Sequence, residues 1–263
     1  MTRTVQFQTL PPFGGDQRQV AEVVRGIMDG KTNNTGKVTL ATGNATTTTI
    51  YDSRIGNESL IFLVPVSAAA YSDSAPYGAF ESVVDQSITA NTATAMTLDT
   101  TDYSNGVYLS NSSRMNVRNA GVYNLQWSGQ FQNTDTQEHD VSIWLRKNGT
   151  DITGSAGLVG IPSSHGGVDG HTIAGWNYFL DLAANDYIQI YWSSPSTAVS
   201  LQFYAAGTSP TRPSTASLIT TMNYVAPAAS SNVYVSSQQQ GSAILTHWAN
   251  STSDKTYGYI VVG

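Results

Sequence analysis

The spacing of apolar positions changes once along this chain. In "DQRQVAEVVRGIMDG" (residues 16–30), Val20, Val23, Val24, Ile27 and Met28 recur at helical intervals on one face. Asp16 supplies an N-cap, Gln19 the reciprocal half of a capping box, and Gly30 a stop. A helix shorter than about 15 residues is marginal alone in water, so this one-sided face needs a partner, either its own β domain or copies from neighbouring chains. After the turn-rich "KTNNTG" the period becomes two and stays there. "KVTLATG" and "SLIFLVPVSA" read as strands joined by the polar connection "NATTTTIYDSRIGNE". At the far end "NVYVSSQQQGSAILTHWA" and "TYGYIVVG" have the same character. The two ends also resemble each other: a strand, a Thr-rich connection carrying Asn44 or Asn250, then a buried strand. This weak internal repeat suggests that both ends build one small domain.

Between them lie about ten short runs separated by turn residues: "YGAFESVV", "TAMTLDT", "GVYLS", "RMNV", "GVYNLQWSGQF", "HDVSIWLRKNG", "HTIAGWNYFLDL", "DYIQIYWSS", "VSLQFYAAG" and "ASLITTMNYV". That rhythm signals an antiparallel sandwich, and the number of strands suits a jelly roll. The small-residue segments "AAAYSDSAP" before it and "APAASS" after it match in character, as expected where a domain with adjacent termini is inserted into a loop of another. The expected fold is all-β: an antiparallel jelly-roll sandwich (77–225) inserted in a small discontinuous β module (31–72 plus 226–263). An N-terminal arm and one short helix (1–30) precede it.

Composition narrows the partners. Only 11% of the residues are charged and the net charge is −6, with no basic stripe, which argues against nucleic acid. The surface is expected to be covered by hydroxyls and amides. Without cysteine there is neither a disulfide framework nor a thiolate metal site. The first residues lack the apolar run of a secretory signal, and no stretch approaches the roughly 20 apolar residues of a membrane span. The chain is therefore expected to be made in the cytoplasm without membrane insertion, with its Asn-X-Ser/Thr triplets at Asn44, Asn148 and Asn250 unmodified.

Alternation assigns the large side chains to faces. "YNLQW" sends Tyr123, Leu125 and Trp127 to one side and Asn124 and Gln126 to the other. "IYW" divides Ile190 and Trp192 from Tyr191, and "WNYF" divides Trp176 and Tyr178 from Phe179. These two strands are apolar on both faces, as in a sheet covered once by its partner sheet and again by another subunit.

Candidate chemistry is sparse. His139-Asp140 beside Glu138 resembles a base with an orienting carboxylate, but adjacent strand residues point to opposite faces. "SHGG" at 164–167 lacks any "GxSxG" nucleophile turn. The acids Asp135, Glu138, Asp151, Asp169 and Asp181 fall mostly in turns, and no solenoid period accompanies them. His165 and His171 in "HGGVDGH" could ligate a transition metal, although an exposed loop is the simpler reading. No catalytic residue, metal site or cofactor is assigned.

The stretch Ala120, Gly121, Val122, Tyr123, Leu125, Trp127 and Phe131 resembles the "AGVYxFxF"-like segment of the globular heads of the complement and tumour-necrosis-factor superfamily. "IWLRKNGTDI" and "FLDLAANDYIQIYW" resemble two further segments of that family in the same order. Asn185 stands where the family usually has Gly, and it too tolerates a left-handed turn. The flanking segments resemble a module common in structural proteins of tailed bacteriophages, often near fibres. Together the resemblances imply a homotrimeric virion protein, a tail fibre or fibre tip, held to other tail or capsid proteins. Val20, Val23, Val24 and Ile27 of the helix, with Tyr123, Trp127, Trp176 and Tyr191 of the head, are the expected subunit contacts. Loops "NTDTQEHD" and "SSHGGVDGH", with Asp135, Glu138, His139, His165, Asp169 and His171, are the expected contacts to a host glycan or protein. Some heads of that family carry calcium, but "NTDTQEHD" lacks the spacing of a known calcium loop. A capsid decoration or collar protein without a receptor, and a bacterial secreted or surface ligand-binding head, are the alternatives.

Overall fold

The computed structural model describes residues 10–30, 32–225 and 232–263. Most of the N-terminal arm and the "APAASS" linker lie outside the described residues. The chain divides into two compact units, Met1–Asp73 with Val233–Gly263, and Ser74–Asn232. It is an all-β protein of antiparallel sheets with a short N-terminal helix.

The Ser74–Asn232 unit is a two-sheet sandwich organised around the strand Gly121–Asn133. Along one edge this strand pairs with Gly170–Leu182 over all 13 residues. Along the other it pairs with Leu218–Tyr224 and then Val199–Leu201. Tyr77–Ser82 and Thr100–Asn105 extend the sheet beyond Leu218–Tyr224. The facing sheet joins His139–Lys147, Tyr187–Ser193, Arg114–Val117 and Val107–Ser110, with Gly157–Ile161 on its other edge. Its hairpin turn is Asn148-Gly149, both at positive φ (50° and 84°), which suits a tight primed turn. Asn185 also takes the left-handed conformation, at φ 70°. All ten runs contribute strands, though "TAMTLDT" supplies only Thr94–Ala95 and the first residue of Thr100–Asn105. Gly157–Ile161 is an additional strand that its glycines concealed.

Alternation places Tyr123, Leu125, Trp127 and Phe131 inward, all buried with Ile143, Leu145, Ile190 and Trp192 of the facing sheet. Phe131 meets Trp192 edge-on at 5.6 Å, so one aromatic pair spans the two layers. The Tyr123 hydroxyl donates to the Asn119 carbonyl at 2.8 Å and ties the strand to its preceding turn. The indole N–H groups of Trp127 and Trp192 are buried without an acceptor, so both rings are held by packing.

The other unit stacks two three-stranded sheets, Thr35–Thr39/Thr256–Val262/Leu60–Pro65 and Ala45–Tyr51/Ser242–Asn250/Val233–Gln239. Leu40, Ile50, Ile55, Leu245, Tyr257, Tyr259 and Val261 are buried in its core. The expected polar connection is thus corrected. Ala45–Tyr51 is a strand, because its β-branched threonines suit a pleated surface while Ile50 and Thr48 turn inward. Thr48 Oγ1 lies 2.9 Å from His247 Nε2. The internal repeat fails as well: Thr35–Thr39 and Ser242–Asn250, its two first strands, lie in different sheets. The linker "AAAYSDSAP" contains a one-turn helix, Ala68–Tyr71, capped by Ser67. Asn250 is fully buried, donating to the Ala41 and Thr252 carbonyls at 3.1 and 2.7 Å, which leaves its amide closed to modification.

An acid–base triad anchors this unit. Asp52 accepts from Arg54 Nε at 2.8 Å and from the Tyr259 hydroxyl at 2.9 Å. The Tyr259 ring passes so close to Gly36 that a Cβ there would lie 2.2 Å from it. The Arg54 guanidinium, aided by the Arg54 N–H and the Tyr259 hydroxyl, holds the Asp52 carboxyl well below the usual range despite burial.

Two outcomes follow. Trp127→Ala should cost about 3–5 kcal/mol in chemical denaturation, whereas Trp127→Phe, which removes the unpaired N–H and keeps a ring, should cost markedly less. A depressed carboxyl stabilises the fold above its unfolded value near 3.8 and loses that contribution as pH falls through the folded value. Thermal melts should therefore lose stability below about pH 4, and Asp52→Asn should flatten this acid limb while lowering stability at neutral pH by about 1–3 kcal/mol.

Candidate functional site

Two kinds of surface carry the expected site residues: a loop cluster at one end of the sandwich, and outward apolar faces. The loops follow from the topology. The central strand ends at Asn133, its sheet neighbours begin at Gly170 and Val199, strands of the facing sheet begin or end at His139, Ile161 and Ser193, and the intervening turns lie beyond them.

Asn133 organises this end. Fully buried, it donates to the Gln137 and Pro162 carbonyls at 2.7 and 3.1 Å and accepts from the Asp135 N–H at 2.9 Å, tying 134–138 to the next loop. The Ser164 N–H donates to the Asp135 carbonyl at 2.6 Å. Asp135 Oδ2 lies 2.7 Å from His139 Nε2, so His139 pairs across the turn with Asp135 rather than with adjacent Asp140. Glu138 is exposed and its carboxylate lies over Gly160, where a Cβ would meet Oε1 at 2.5 Å. His165 sits at a tight hairpin tip, where Gly166 and Gly167 both have positive φ and His165 and Val168 exchange backbone bonds of 2.9 and 3.1 Å. Asp169 accepts from the Gln132 amide, and exposed His171 Nδ1 lies 3.2 Å from the Tyr204 hydroxyl. Burial, with Asp169 and Asp85 nearby, raises the Tyr204 phenol above its usual range. Gln132, Asn133 and Tyr204 were not singled out from sequence. Only the topology places them here.

Asp135, His139 and Ser164 thus form one cluster, and Gln132, Asp169, His171 and Tyr204 another, while Glu138 and His165 stand apart as exposed groups. Among the described residues, no three His, Asp or Glu side chains are placed to hold a metal ion. Chemically the end offers imidazole, carboxylate, amide and phenol groups suited to hydrogen bonding.

The expected subunit contacts require correction. Tyr123 and Trp127 are buried in the sandwich core, because the apolar parity of their strand faces the partner sheet, and they present nothing to another chain. Trp176 is 37% exposed and packs edge-on against Trp127 and Tyr178, with its ring over Gly157. Tyr191 lies on the outward face of the other sheet, beneath Arg146 at 3.8 Å and beside Trp144. Tyr191 and Trp176 lie on different faces of the sandwich, so they could meet in one contact only across two copies. What the sandwich does leave open is the outward parity beside the central strand: Phe179, Ile173, Ile219 and Val122.

In the smaller unit, no residue of the helix Gln17–Met28 is buried, and Val20, Val24 and Ile27 are exposed beside half-buried Val23. The run "SLIFLVPV", expected to be a buried strand, is only half-buried, at Ile61 and Leu63, and open on its other parity. Leu60, Phe62, Val64 and Val66, with Ile260 and Val262 of the adjacent strand, are 38–62% exposed. At about 1.5–3 kcal/mol per fully buried side chain, six half-open ones represent roughly 5–9 kcal/mol of unrealised burial. Among the described residues, no helix is long and apolar enough to cross a membrane.

No protein-family model matches this chain, and no curated protein matches it.

The His139 imidazole, then the Thr136 N–H, hold the Asp135 carboxyl below the ordinary range. In an NMR titration Asp135 should therefore protonate below 3.8, with the turn intact above that range and loosening as pH falls. His139→Ala should move the midpoint back up.

Proposed function

We propose that this chain is a structural, non-enzymatic component of a bacteriophage virion, a homotrimeric tail fibre or fibre tip that contributes to attachment at the host surface. The observation that carries the self-association is the set of open apolar side chains on both units, Phe179 and Ile173 on one, Phe62 and Val64 on the other. Phe62 and Val64 form a contiguous row with Leu60, Val66 and Ile260, which a chain that works alone rarely leaves uncovered, and Phe179 and Ile173 stand apart on their strand as separate open side chains. The virion assignment rests on the sequence resemblances, the charge-poor, amide- and hydroxyl-rich composition agreeing with it. On this reading the head's contact is the outward face beside the central strand, in place of Tyr123 and Trp127. The loop end with Asp135, His139, Asp169 and His171 meets a host glycan or protein, and three copies multiply a weak single contact.

The intact assembly should weigh three times the 28.1 kDa chain by native mass spectrometry. Phe179→Asp should lower that mass while the β-sheet circular dichroism persists. Excess purified protein should block phage adsorption, and His139→Ala with His171→Ala should weaken the block without changing the mass. A wild-type single chain sinks the trimer. Trimers present in particles that never compete for adsorption favour the architectural alternative.

A further inference from the structure

The outer face of the Thr35–Thr39/Thr256–Val262/Leu60–Pro65 sheet is open. Register sets Lys37, Gly258 and Val64 side by side, with Thr35, Ile260 and Phe62 in the next row. Gly258 has no side chain, so the middle of the face becomes a trough of about 380 Å³ walled by Thr35, Lys37, Val64 and Ile260. Val66 leans over it, its Cγ1 3.2 Å from where a Gly258 Cβ would stand. The same unit carries an amphipathic helix with none of its residues buried. We infer that the helix Gln17–Met28 of one copy docks on this sheet in another copy, seating Val20, Val24 and Ile27 in the trough over Gly258.

The occupant is argued from complementarity and area. Six residues separate Met28 from Thr35, a reach of roughly 20 Å. That tether would let the helix cover its own sheet, yet in the folded single chain the trough stays open. A bundle of such helices is disfavoured by length, since 12 residues hold fewer than two heptads. The open side chains come to roughly 300 Å² on the sheet and roughly 200 Å² on the helix. In the proposed trimer each helix-on-sheet contact then buries roughly 500 Å² of apolar surface from its two sides together, and each copy takes part in two such contacts, once giving and once receiving. The inference rests on the self-association proposed above and not on the virion assignment.

The absence of cysteine makes the test clean. Val24→Cys and Val64→Cys chains, both altered at exposed positions, are co-expressed at full length, oxidised and run without reductant, with Ile27→Cys and Phe62→Cys as a second pair. A covalent dimer from the mixed pair that neither variant forms alone is expected. Dimers from Val24→Cys alone would mean helix against helix. An intrachain link in the double variant with no mixed dimer would mean that the helix covers its own sheet. No link at all in a wild-type-sized assembly would leave the trough unoccupied by the helix. Each of these three results overturns the docking. They leave the virion assignment standing, which the presence of the chain in purified particles decides separately.

Discussion

Side chains on a strand alternate, so each strand in a sandwich can commit only one parity to the core. The strand Gly121–Asn133 is the element on which this constraint bears most heavily. It is paired along both edges, and its inward residues meet the facing sheet through Phe131 and Trp192. Once Tyr123, Leu125 and Trp127 are inside, its outward row is fixed as Asn124, Gln126 and Ser128, and the full-length neighbour Gly170–Leu182 must turn Phe179 and Ile173 outward with that row. The same register brings the end of the strand to Asn133, where the loops with Asp135 and Asp169 are held. Core, outward face and loop end are thus three consequences of one alignment.

A chain so poor in charge needs another way to hold its irregular segments, and it uses buried amides and hydroxyls. Asn133 binds carbonyls of two loops, and Asn250 binds those of Ala41 and Thr252. The Gln238 amide reaches the Asn57 and Ser59 carbonyls, both at 2.9 Å, and Gln86 both donates to and accepts from Thr97. A neutral amide satisfies backbone groups without the desolvation cost of a buried ion. The abundance of Asn, Gln and Ser, expected from composition to clothe the surface, is therefore partly an interior device. The Asp52–Arg54–Tyr259 group is a charged exception, and the smaller unit, with fewer buried side chains, is where it stands.

The β character, the ten strand runs, the capping box on the first helix and the shared side of Tyr123, Leu125 and Trp127 are legible because each depends on local spacing or cap chemistry. What those aromatics faced was not legible. Alternation says that two residues share a side, but which sheet covers that side is a long-range fact. Ala45–Tyr51 was hidden by threonine, which reads as polar in composition yet behaves as β-branched in a strand. Gly157–Ile161 was hidden by its two glycines, one of which gives room to Trp176. At the loop end the acids and histidines were visible. Their pairing was not, because His139 meets Asp135 across a turn whose shape Asn133 dictates from inside.

The open faces have a common physical origin. In "LIFLVPV" and in "WNYF" both parities are apolar, and one of them is consumed by the core. An edge strand with a second apolar parity is a hazard in a protein that works alone, and it is ordinarily blunted by charge. On the smaller unit's sheet the neighbours are hydroxyls and one lysine, Lys37, whereas the sandwich face also carries Asp181 opposite Val122 and Glu81 opposite Ile219. Covering the smaller unit's face therefore removes little hydration from charged groups and keeps most of the apolar burial as net attraction, while on the sandwich face the acids stand at the margin of the apolar side chains. Low charge and two-sided strands thus act in the same direction, and both are consistent with the self-association proposed above.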